Sequence, residues 1–242
     1  MSALPIPAEE FTSPEALAKG FAQWSANLLQ GAVEQRGAAL LIVSGGETPK
    51  RFFTELAVHA IDWARVSITL ADERCVADDN LRSNARLLRE HLLQGPAAAA
   101  AFTPLADSRL TPQMELVSAN ARIARLPLPA DLAILGMGED GHTASWFPGA
   151  DNLAQAIDPG ARSLVLPIEA PGAAEPRLTL TARILLRAKT IALHIEGESK
   201  SVALAKALAP GPIEEMPIRA VLRGAPEKLH VFWAPKAAMA LA

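Results

Sequence analysis

Short apolar runs alternate with helix-like segments from one end of the chain to the other. Six of these runs are predicted to be strands: 39–43, 66–70, 132–135, 163–166, 190–195 and 229–233. Most of them are continuously apolar, which is typical of strands that are covered on both faces. Strands that alternate with helices predict an α/β fold, with a doubly wound, mainly parallel, Rossmann-like sheet and helices on both faces.

The expected helices begin at recognisable capping signals. These are Ser13-Pro14, Thr48-Pro49, Ser83-Asn84, Thr111-Pro112 and Glu198-Ser199. The first helix is expected to run towards Gln35 and to stop at Gly37, since glycine commonly follows the last helical residue. No glycine- or serine-rich linker, composition shift or repeat divides the chain, so we predict a single domain over residues 1–242.

Composition narrows the classes of function. Half of the 242 residues are hydrophobic, and the formal net charge of −3 is spread along the chain without a block of basic residues. These features do not favour nucleic acid or an anionic membrane as a partner. The single cysteine excludes an internal disulfide, and the N-terminus lacks the basic and apolar regions of a secretory signal. We therefore expect a soluble cytoplasmic protein. A monomer is also expected, although none of these features determines the oligomeric state.

Three loops that follow predicted strands contain unusual residues: 44–49, 72–84 and 136–148. In open α/β sheets, ligands bind beyond the carboxyl ends of the strands. Because all three loops occupy that position, their agreement is stronger evidence for a site than any one of them alone.

The segment Ser44-Gly-Gly-Glu-Thr-Pro49 forms a junction between a strand and a helix. Gly45 and Gly46 expose backbone N–H groups, the helix N-terminus adds a positive dipole, and the Thr48 hydroxyl can donate a hydrogen bond. This chemistry suits a phosphate group. The alternative is a tight turn in which Thr48 is the N-cap and Pro49 the first helical residue.

The second loop begins with three charged residues directly after a buried strand. Asp72 and Arg74 have the same side-chain parity along an extended chain, so both can face one cleft. Arg74 can pair with an anion, and Asp72 can accept hydrogen bonds from sugar hydroxyls or orient an imidazole. The alternative is a salt-linked surface loop. Cys75 is expected to be a small buried filler.

The third loop, Gly136-Met-Gly-Glu-Asp-Gly-His-Thr-Ala-Ser-Trp-Phe-Pro-Gly149, brings one histidine to a strand end. Its Gly-x-Gly-x-x-Gly spacing matches the dinucleotide fingerprint formally, but no second strand ending in an acid follows, and Pro148 cuts short the required helix. No Gly-x-Ser-x-Gly elbow and no zinc-ligand spacing occurs in the chain. These exclusions leave His142 as a general base acting on water, with a merely structural histidine as the alternative.

Two further cations follow later in the chain. Arg177 is expected at the start of a helix, and Lys200 comes just after the strand 190–195. Side chains at both places can reach a cleft at the strand ends, although either residue taken alone is typical of a solvated surface charge.

Together these motifs resemble the 6-phosphogluconolactonase family, within the superfamily of glucosamine- and galactosamine-6-phosphate isomerases. The matching pieces are Ser44-Gly-Gly-x-Thr-Pro49, Asp72-Glu-Arg74 with Ser83-Asn84, Gly136-Met-Gly-x-Asp-Gly-His-Thr-Ala-Ser-x-Phe-Pro148, Arg177-Leu-Thr and Gly197-x-x-Lys200. They span most of the chain in the family's order. Glu47 departs from the pattern, since the family often has serine or arginine there.

The resemblance implies hydrolysis of 6-phospho-D-glucono-1,5-lactone to 6-phosphogluconate, without metal or organic cofactor. By that resemblance, His142 activates water, Arg74 stabilises the oxyanion, and Asp72 orients the substrate or His142. The 6-phosphate is held by a group of residues that combines cations and the glycine turn: Arg177, Lys200, Gly45, Gly46 and Thr48.

Two alternatives remain at this point. A hexosamine-6-phosphate deaminase/isomerase shares the glycine turn, but such enzymes carry Phe-Asn-Glu-Pro after the histidine, where this chain has Ser145-Trp-Phe-Pro148. A sugar-phosphate-sensing domain belongs to a different class. It needs an output element such as a basic DNA-binding helix-turn-helix, and the first 38 residues form barely one helix and are not basic.

Overall fold

The computed structural model describes residues 7–107, 112–171 and 173–236. Their main sheet contains strands β1 (Glu9–Glu10), β2 (Ala39–Val43), β3 (Val66–Leu70), β5 (Ala101–Thr103), β6 (Leu132–Leu135), β9 (Thr190–Glu196) and β10 (Leu229–Ala234). The order is β1-β10-β9-β6-β2-β3-β5, and every neighbouring pair is parallel. The predicted α/β class with a mainly parallel sheet is therefore confirmed.

The order of the strands reverses between β2 and β6. From β2 the chain builds outward through β3 to β5, and it then returns to build β6, β9 and β10 on the other side. In such sheets the loops after the two central strands diverge and leave a crevice. The glycine turn follows β2 and the His142 loop follows β6, so both loops border this crevice.

A second sheet was not predicted. It has three antiparallel strands, β4 (Asp72–Arg74), β8 (Arg177–Leu180) and β7 (Val165–Ile168), in the order β4-β8-β7. It branches from the main sheet at Ala71, whose carbonyl accepts the Leu180 N–H at 2.8 Å. The predicted strand 163–166 therefore lies two residues further on and belongs to this small sheet.

The expectation that Arg177 starts a helix is wrong, because Arg177 is the first residue of β8. The physical reason is a two-residue alternation. Leu178 and Leu180 are buried on one face, while Arg177 and Thr179 share the other.

The helices are α1 (Pro14–Arg36), α2 (Pro49–Ala57), α3 (Asn84–His91), α4 (Pro112–Ala124), α5 (Leu153–Ala156), α6 (Ala182–Leu185), α7 (Glu198–Leu208) and α8 (Arg219–Gly224). The Ser13 side chain caps α1 by accepting from Ala16 N at 3.2 Å, and Gly37 ends it with φ +77°. Thr111, the expected cap of α4, lies outside the described residues.

The core between α1, α2 and the sheet is aromatic. The Phe21 ring lies 4.3 Å from those of Phe52 and Phe232, joining both helices to β10. Fully burying one such side chain contributes about 2–3 kcal/mol. This packing fixes α2 and therefore the glycine turn that precedes it. Within the described parts of the chain, we find no helix that is long and apolar enough to cross a membrane.

Candidate active site

The predicted site residues meet in one cleft at the switch point. The cleft has an empty volume of about 820 Å³, part of it open to solvent. All of the predicted residues line it: Gly45, Gly46, Thr48, Asp72, Arg74, His142, Arg177 and Lys200. The three loops and two later cations that sequence spacing singled out therefore form a single surface.

His142 is held by a carboxylate two residues earlier. Its Nδ1 lies 2.7 Å from Oδ1 of Asp140, which also accepts the His142 backbone N–H at 3.1 Å. The hydrogen bond from the imidazole lowers the pKa of Asp140 from 3.8 to about 2. An ionised acceptor at Nδ1 favours the tautomer that carries its proton there, which leaves Nε2 as the basic nitrogen.

Two glycines of this loop stand where a side chain would not fit. A Cβ on Gly138 would lie 2.1 Å from Nδ1 of His142 and 2.3 Å from Oδ1 of Asp140, so a side chain there would displace both groups. Gly141 has φ +80°, and a Cβ on it would meet Met216 at 2.7 Å. Gly138 therefore leaves room for the histidine–carboxylate pair, and Gly141 lets the turn that joins Asp140 to His142 pack closely against Met216.

Asp72 has different partners from those expected. Its Oδ2 accepts the Ser145 hydroxyl at 2.5 Å and lies 3.8 Å from Nη1 of Arg177. Of the two roles expected for Asp72, orienting the imidazole falls to Asp140 instead. Because Ser145 is fully buried, its hydroxyl fixes the Asp72 carboxylate at the wall of the cleft.

Glu73 points away from the cleft and caps helix α3. Its Oε1 accepts the N–H groups of Arg74 at 2.7 Å and Asn84 at 2.8 Å, and its Oε2 accepts Ala85 N–H at 2.6 Å and the Ser83 hydroxyl at 3.2 Å. Burial raises the pKa of Glu73, and the backbone N–H donors oppose that effect. The carboxylate ties β4 to the N-terminus of α3, and thus positions the Asp72 and Arg74 that flank it.

Asn84 connects the same helix end to the glycine turn. Its Nδ2 donates to the Asp72 carbonyl at 2.9 Å, and a Cβ on Gly45 would lie 2.0 Å from its Oδ1. Gly46 has φ +100°, a conformation that favours glycine. Thr48 is the N-cap residue of α2 and Pro49 is its first helical residue, as the turn alternative expects, but the Thr48 hydroxyl makes no capping hydrogen bond.

Two arginines face each other across the small sheet. Arg74 and Arg177 are directly opposite in the register of β4 and β8, an arrangement that costs free energy unless negative charge lies nearby. Arg74 also donates from Nη1 to the Arg82 carbonyl at 2.5 Å. Burial lowers the pKa of Arg177, and the charge of Asp72 opposes this. The pair is arranged to attract an anion.

Lys200 lies in the first turn of α7, half-buried at the edge of the cleft formed by β9. Two polar residues of β9 that the sequence analysis did not select lie beside it. His194 is 3% exposed, and its Nε2 lies 3.5 Å from Oε1 of Glu196.

The expectation for Cys75, which follows β4, is wrong. Its side chain is exposed, so it is not a buried filler. Partial desolvation, with the charges of Glu115 and Glu73, raises the pKa of its thiol to about 11. A thiol with so high a pKa is a poor nucleophile near neutral pH, because the thiolate is the reactive form.

The sequence analysis missed Asp140, Glu73, Ser145 and Phe147 as contributors to the site. Asp140 was within reach, because an acid two residues before a histidine can bond both its backbone N–H and its ring. Ser145 and Phe147 act through Asp72 and Arg177, which are distant in sequence, and Glu73 acts through the start of α3 on the far side of a loop, so no local pattern reveals these roles. Among the described residues, no group of three or more His, Cys, Asp or Glu is arranged to hold a metal ion.

Comparison with known proteins identifies the family of the chain. The family model for glucosamine-6-phosphate isomerases and 6-phosphogluconolactonase matches residues 12–233. The 6-phosphogluconolactonase of Rhizobium meliloti (strain 1021) is 47% identical over 225 residues, which are 93% of this chain and 97% of that protein. That of Mesorhizobium japonicum is 48% identical over 219 residues, 90% and 91% of the two chains.

A crystal structure of a 6-phosphogluconolactonase from Shewanella baltica OS155 has a TM-score of 0.90 with this chain at 39% identity. The matched region covers 96% of this chain and 100% of the Shewanella chain. Fold and cleft together define an α/β protein with a histidine–carboxylate pair beside an anion-attracting surface. The chain belongs to the family of glucosamine-6-phosphate isomerases and 6-phosphogluconolactonases.

Proposed function

We propose that this protein hydrolyses 6-phospho-D-glucono-1,5-lactone to 6-phospho-D-gluconate, a step of the oxidative pentose phosphate pathway. The observation that carries the proposal is the His142–Asp140 pair, which borders the same cleft as Arg74, Arg177 and Lys200. A base beside several cations suits an anionic substrate that reacts with water.

In the proposed mechanism, Nε2 of His142 takes a proton from a water molecule whose oxygen attacks C1 of the lactone. The tetrahedral intermediate then collapses, and the bond between C1 and the ring oxygen breaks. His142 returns the proton to that oxygen, which becomes a hydroxyl of the open chain. Asp140 keeps the imidazole oriented and stabilises the imidazolium that forms between the two proton transfers.

Arg74 is proposed to stabilise the oxyanion on C1. A well-placed donor of this kind is worth about 3–4 kcal/mol of transition-state stabilisation. Asp72, fixed by Ser145 at 2.5 Å, is proposed to accept hydrogen bonds from the sugar hydroxyls. A δ-lactone is an activated ester, so a positioned base and a held substrate suffice, and the proposed reaction uses neither a metal nor an organic cofactor.

The 6-phosphate is proposed to bind at the glycine turn and the two later cations. Gly45 and Gly46 would donate hydrogen bonds from their backbone N–H groups, and Thr48 would donate one from its hydroxyl, which makes no capping hydrogen bond. Arg177 and Lys200 would donate from their charged groups. The protein is further proposed to act in the cytoplasm, as a monomer and without a nucleic-acid partner.

The family also includes isomerases that act on glucosamine 6-phosphate, and the residues after His142 argue against that activity. Phe147 stands where the deaminase pattern Phe-Asn-Glu-Pro has its glutamate, and a phenyl ring cannot transfer a proton. Aldose ring opening would therefore lack its acid–base group.

A direct assay tests the proposal. Purified protein is mixed with freshly prepared 6-phosphogluconolactone, and acid release is followed in a pH-stat after subtraction of spontaneous hydrolysis. We expect a rate proportional to enzyme concentration, and no release of ammonia from glucosamine 6-phosphate. Acid release no faster than in buffer, or ammonia release from the amino sugar, would contradict the proposal.

A further inference from the structure

The Phe147 ring contacts both the imidazole of His142 and the guanidinium of Arg177. The centroids of the Phe147 and His142 rings are 4.3 Å apart with planes inclined by 32°, and Cζ of Arg177 lies 5.0 Å from the Phe147 centroid. His142 belongs to the loop after β6, whereas Arg177 begins β8 of the small sheet. One side chain therefore bridges two parts of the cleft that come from different sheets.

Polar contacts alone hold Arg177 weakly. Its Nε is buried and has no hydrogen-bond partner among the described residues, and Nη1 is 3.8 Å from the nearest oxygen of Asp72, beyond hydrogen-bond distance. Arg74 lies opposite it and repels it. The face of Phe147 is then the contact that sets the plane of this guanidinium, since cations bind favourably over aromatic rings.

The imidazole of His142 likewise requires a second contact to fix its orientation. The hydrogen bond to Asp140 anchors Nδ1, but one hydrogen bond leaves the ring free to swing about that point. Contact with a second ring across one face restricts that motion and fixes the direction of Nε2.

Phe147 is itself rigidly mounted. The preceding Trp146 is fully buried and donates from Nε1 to the Leu180 carbonyl at 2.9 Å, at the end of the strand that Arg177 begins. The Phe147 N–H donates to the Ser145 carbonyl at 3.1 Å. The ring thus has a fixed relation both to β8 and to the loop that bears His142.

We propose that Phe147 is a positioning residue that sets the separation and orientation of His142 and Arg177. The inference rests on the proposed function, because it assigns Arg177 to the substrate and His142 to the attacking water. With both groups fixed to one ring, a substrate bound by Arg177 presents its carbonyl to Nε2 of His142. Phe147 touches neither substrate nor water in this account.

The test compares Phe147→Leu with Phe147→Tyr and with Phe102→Leu. Leucine keeps most of the volume without an aromatic face, whereas tyrosine keeps the face. Phe102 is the matched control, since it is also partly buried and lies beneath an arginine, with Cζ of Arg89 at 5.6 Å, but Arg89, unlike Arg177, does not line the cleft. We expect Phe147→Leu to lower kcat and raise KM, with kcat/KM down about ten-fold. Phe147→Tyr and Phe102→Leu should stay near wild type.

A second readout is independent of catalysis. The aromatic ring should shift the His142 imidazole proton signals upfield in NMR spectra of the wild type and of Phe147→Tyr, and this shift should disappear in Phe147→Leu. Unchanged kcat and KM in Phe147→Leu, in a protein whose wild type opens the lactone, would overturn the positioning role. A Phe102→Leu protein that loses as much activity as Phe147→Leu would overturn it as well. Wild-type protein that shows the upfield shift but opens no lactone would instead refute the proposed function and leave the ring contact intact.

Discussion

At the residue scale, the site depends on the space around one imidazole. Gly138 and Gly136 lie in the same loop, and they differ in what surrounds them. A Cβ on Gly138 would lie 2.1 Å from Nδ1 of His142, whereas a Cβ on Gly136 would meet nothing within 4 Å. The loop therefore contains its own pair of test and control positions.

We predict that Gly138→Ala breaks the His142–Asp140 hydrogen bond and lowers kcat/KM by about 100-fold, as loss of a group that orients a catalytic residue commonly does. Gly136→Ala should have a much smaller effect. Steady-state kinetics on freshly prepared lactone measures both variants. Equal losses in the two would show that the loop is sensitive to any added methyl group and not to the displacement of the imidazole.

The same hydrogen bond also affects the pKa of Asp140. It lowers the pKa of Asp140 from 3.8 to about 2, so its contribution to stability is present above pH 3.8 and is lost as the pH falls through about 2. We predict that His142→Ala raises the pKa of Asp140 towards 3.8. Titration of the Asp140 carboxyl carbon by NMR measures the change, and an Asp140 pKa that stays near 2 in the variant would contradict the assignment of its cause.

At the element scale, Glu73 joins β4 to the N-terminus of α3. Its two oxygens accept four donors, and in Glu73→Gln the amide group would face donors that it cannot accept from. We predict a loss of about 2 kcal/mol in the free energy of unfolding from the buried donors left unpaired. A lower kcat should accompany it, because Asp72 and Arg74 lie on either side.

Glu90→Gln is the matched control for this change. Glu90 lies on α3, the helix that Glu73 caps, and it forms an exposed ion pair with Arg86 at 2.6 Å. Such a pair contributes little to stability. Urea denaturation and lactone kinetics measure both variants. A Glu73→Gln protein as stable and as active as Glu90→Gln would show that the cap does not position the site.

Among the strands, some were predictable from the sequence and others were not. Strands β2, β3 and β6 have the predicted boundaries, because a continuous apolar run between turn residues marks a buried parallel strand. β4 escaped prediction, since Asp-Glu-Arg has no apolar periodicity and exists as a strand only through its pairing with β8. Arg177 was misassigned for a related reason, because β8 is a strand through its pairing on both sides, with Arg74 of β4 and with Ile168 of β7 opposite Arg177.

At the scale of the whole molecule, the cleft proposed to bind substrate and a group of ion pairs that stabilises the fold lie at opposite edges of the main sheet. Asp131 precedes β6 at the amino edge and is 3% exposed. It accepts Leu40 N–H at 2.9 Å and pairs with Arg36 and with Lys189, the latter at 3.1 Å. The cleft lies at the carboxyl edge of the same strand.

We predict that Asp131→Asn lowers the free energy of unfolding by about 2–3 kcal/mol, since it removes a buried charge that two cations face. Tm should fall by several degrees, with kcat and KM on the lactone unchanged below the transition. Thermal unfolding followed by circular dichroism measures the loss. A large change in KM would mean that the two edges of the sheet are coupled.

The convergence of the site was predictable at this scale, because the carboxyl ends of parallel strands meet at one edge and the chemistry-bearing loops follow them. The supporting contacts were not, since the partners of Asp72 and Phe147 are set by how the small sheet packs against the loop after β6, and those of Glu73 by where α3 begins. The family resemblance likewise predicts which residues act on the substrate, but not which neighbours hold them.

The most direct test of the central claim is the hydrolysis rate of fresh 6-phosphogluconolactone with His142→Ala, after subtraction of the spontaneous rate. His91→Ala is the control, since His91 ends α3 and does not line the cleft. The account predicts a rate close to that of buffer for a folded His142→Ala protein, beside a wild-type rate for His91→Ala. A folded His142→Ala protein that retains most of the wild-type rate would contradict it.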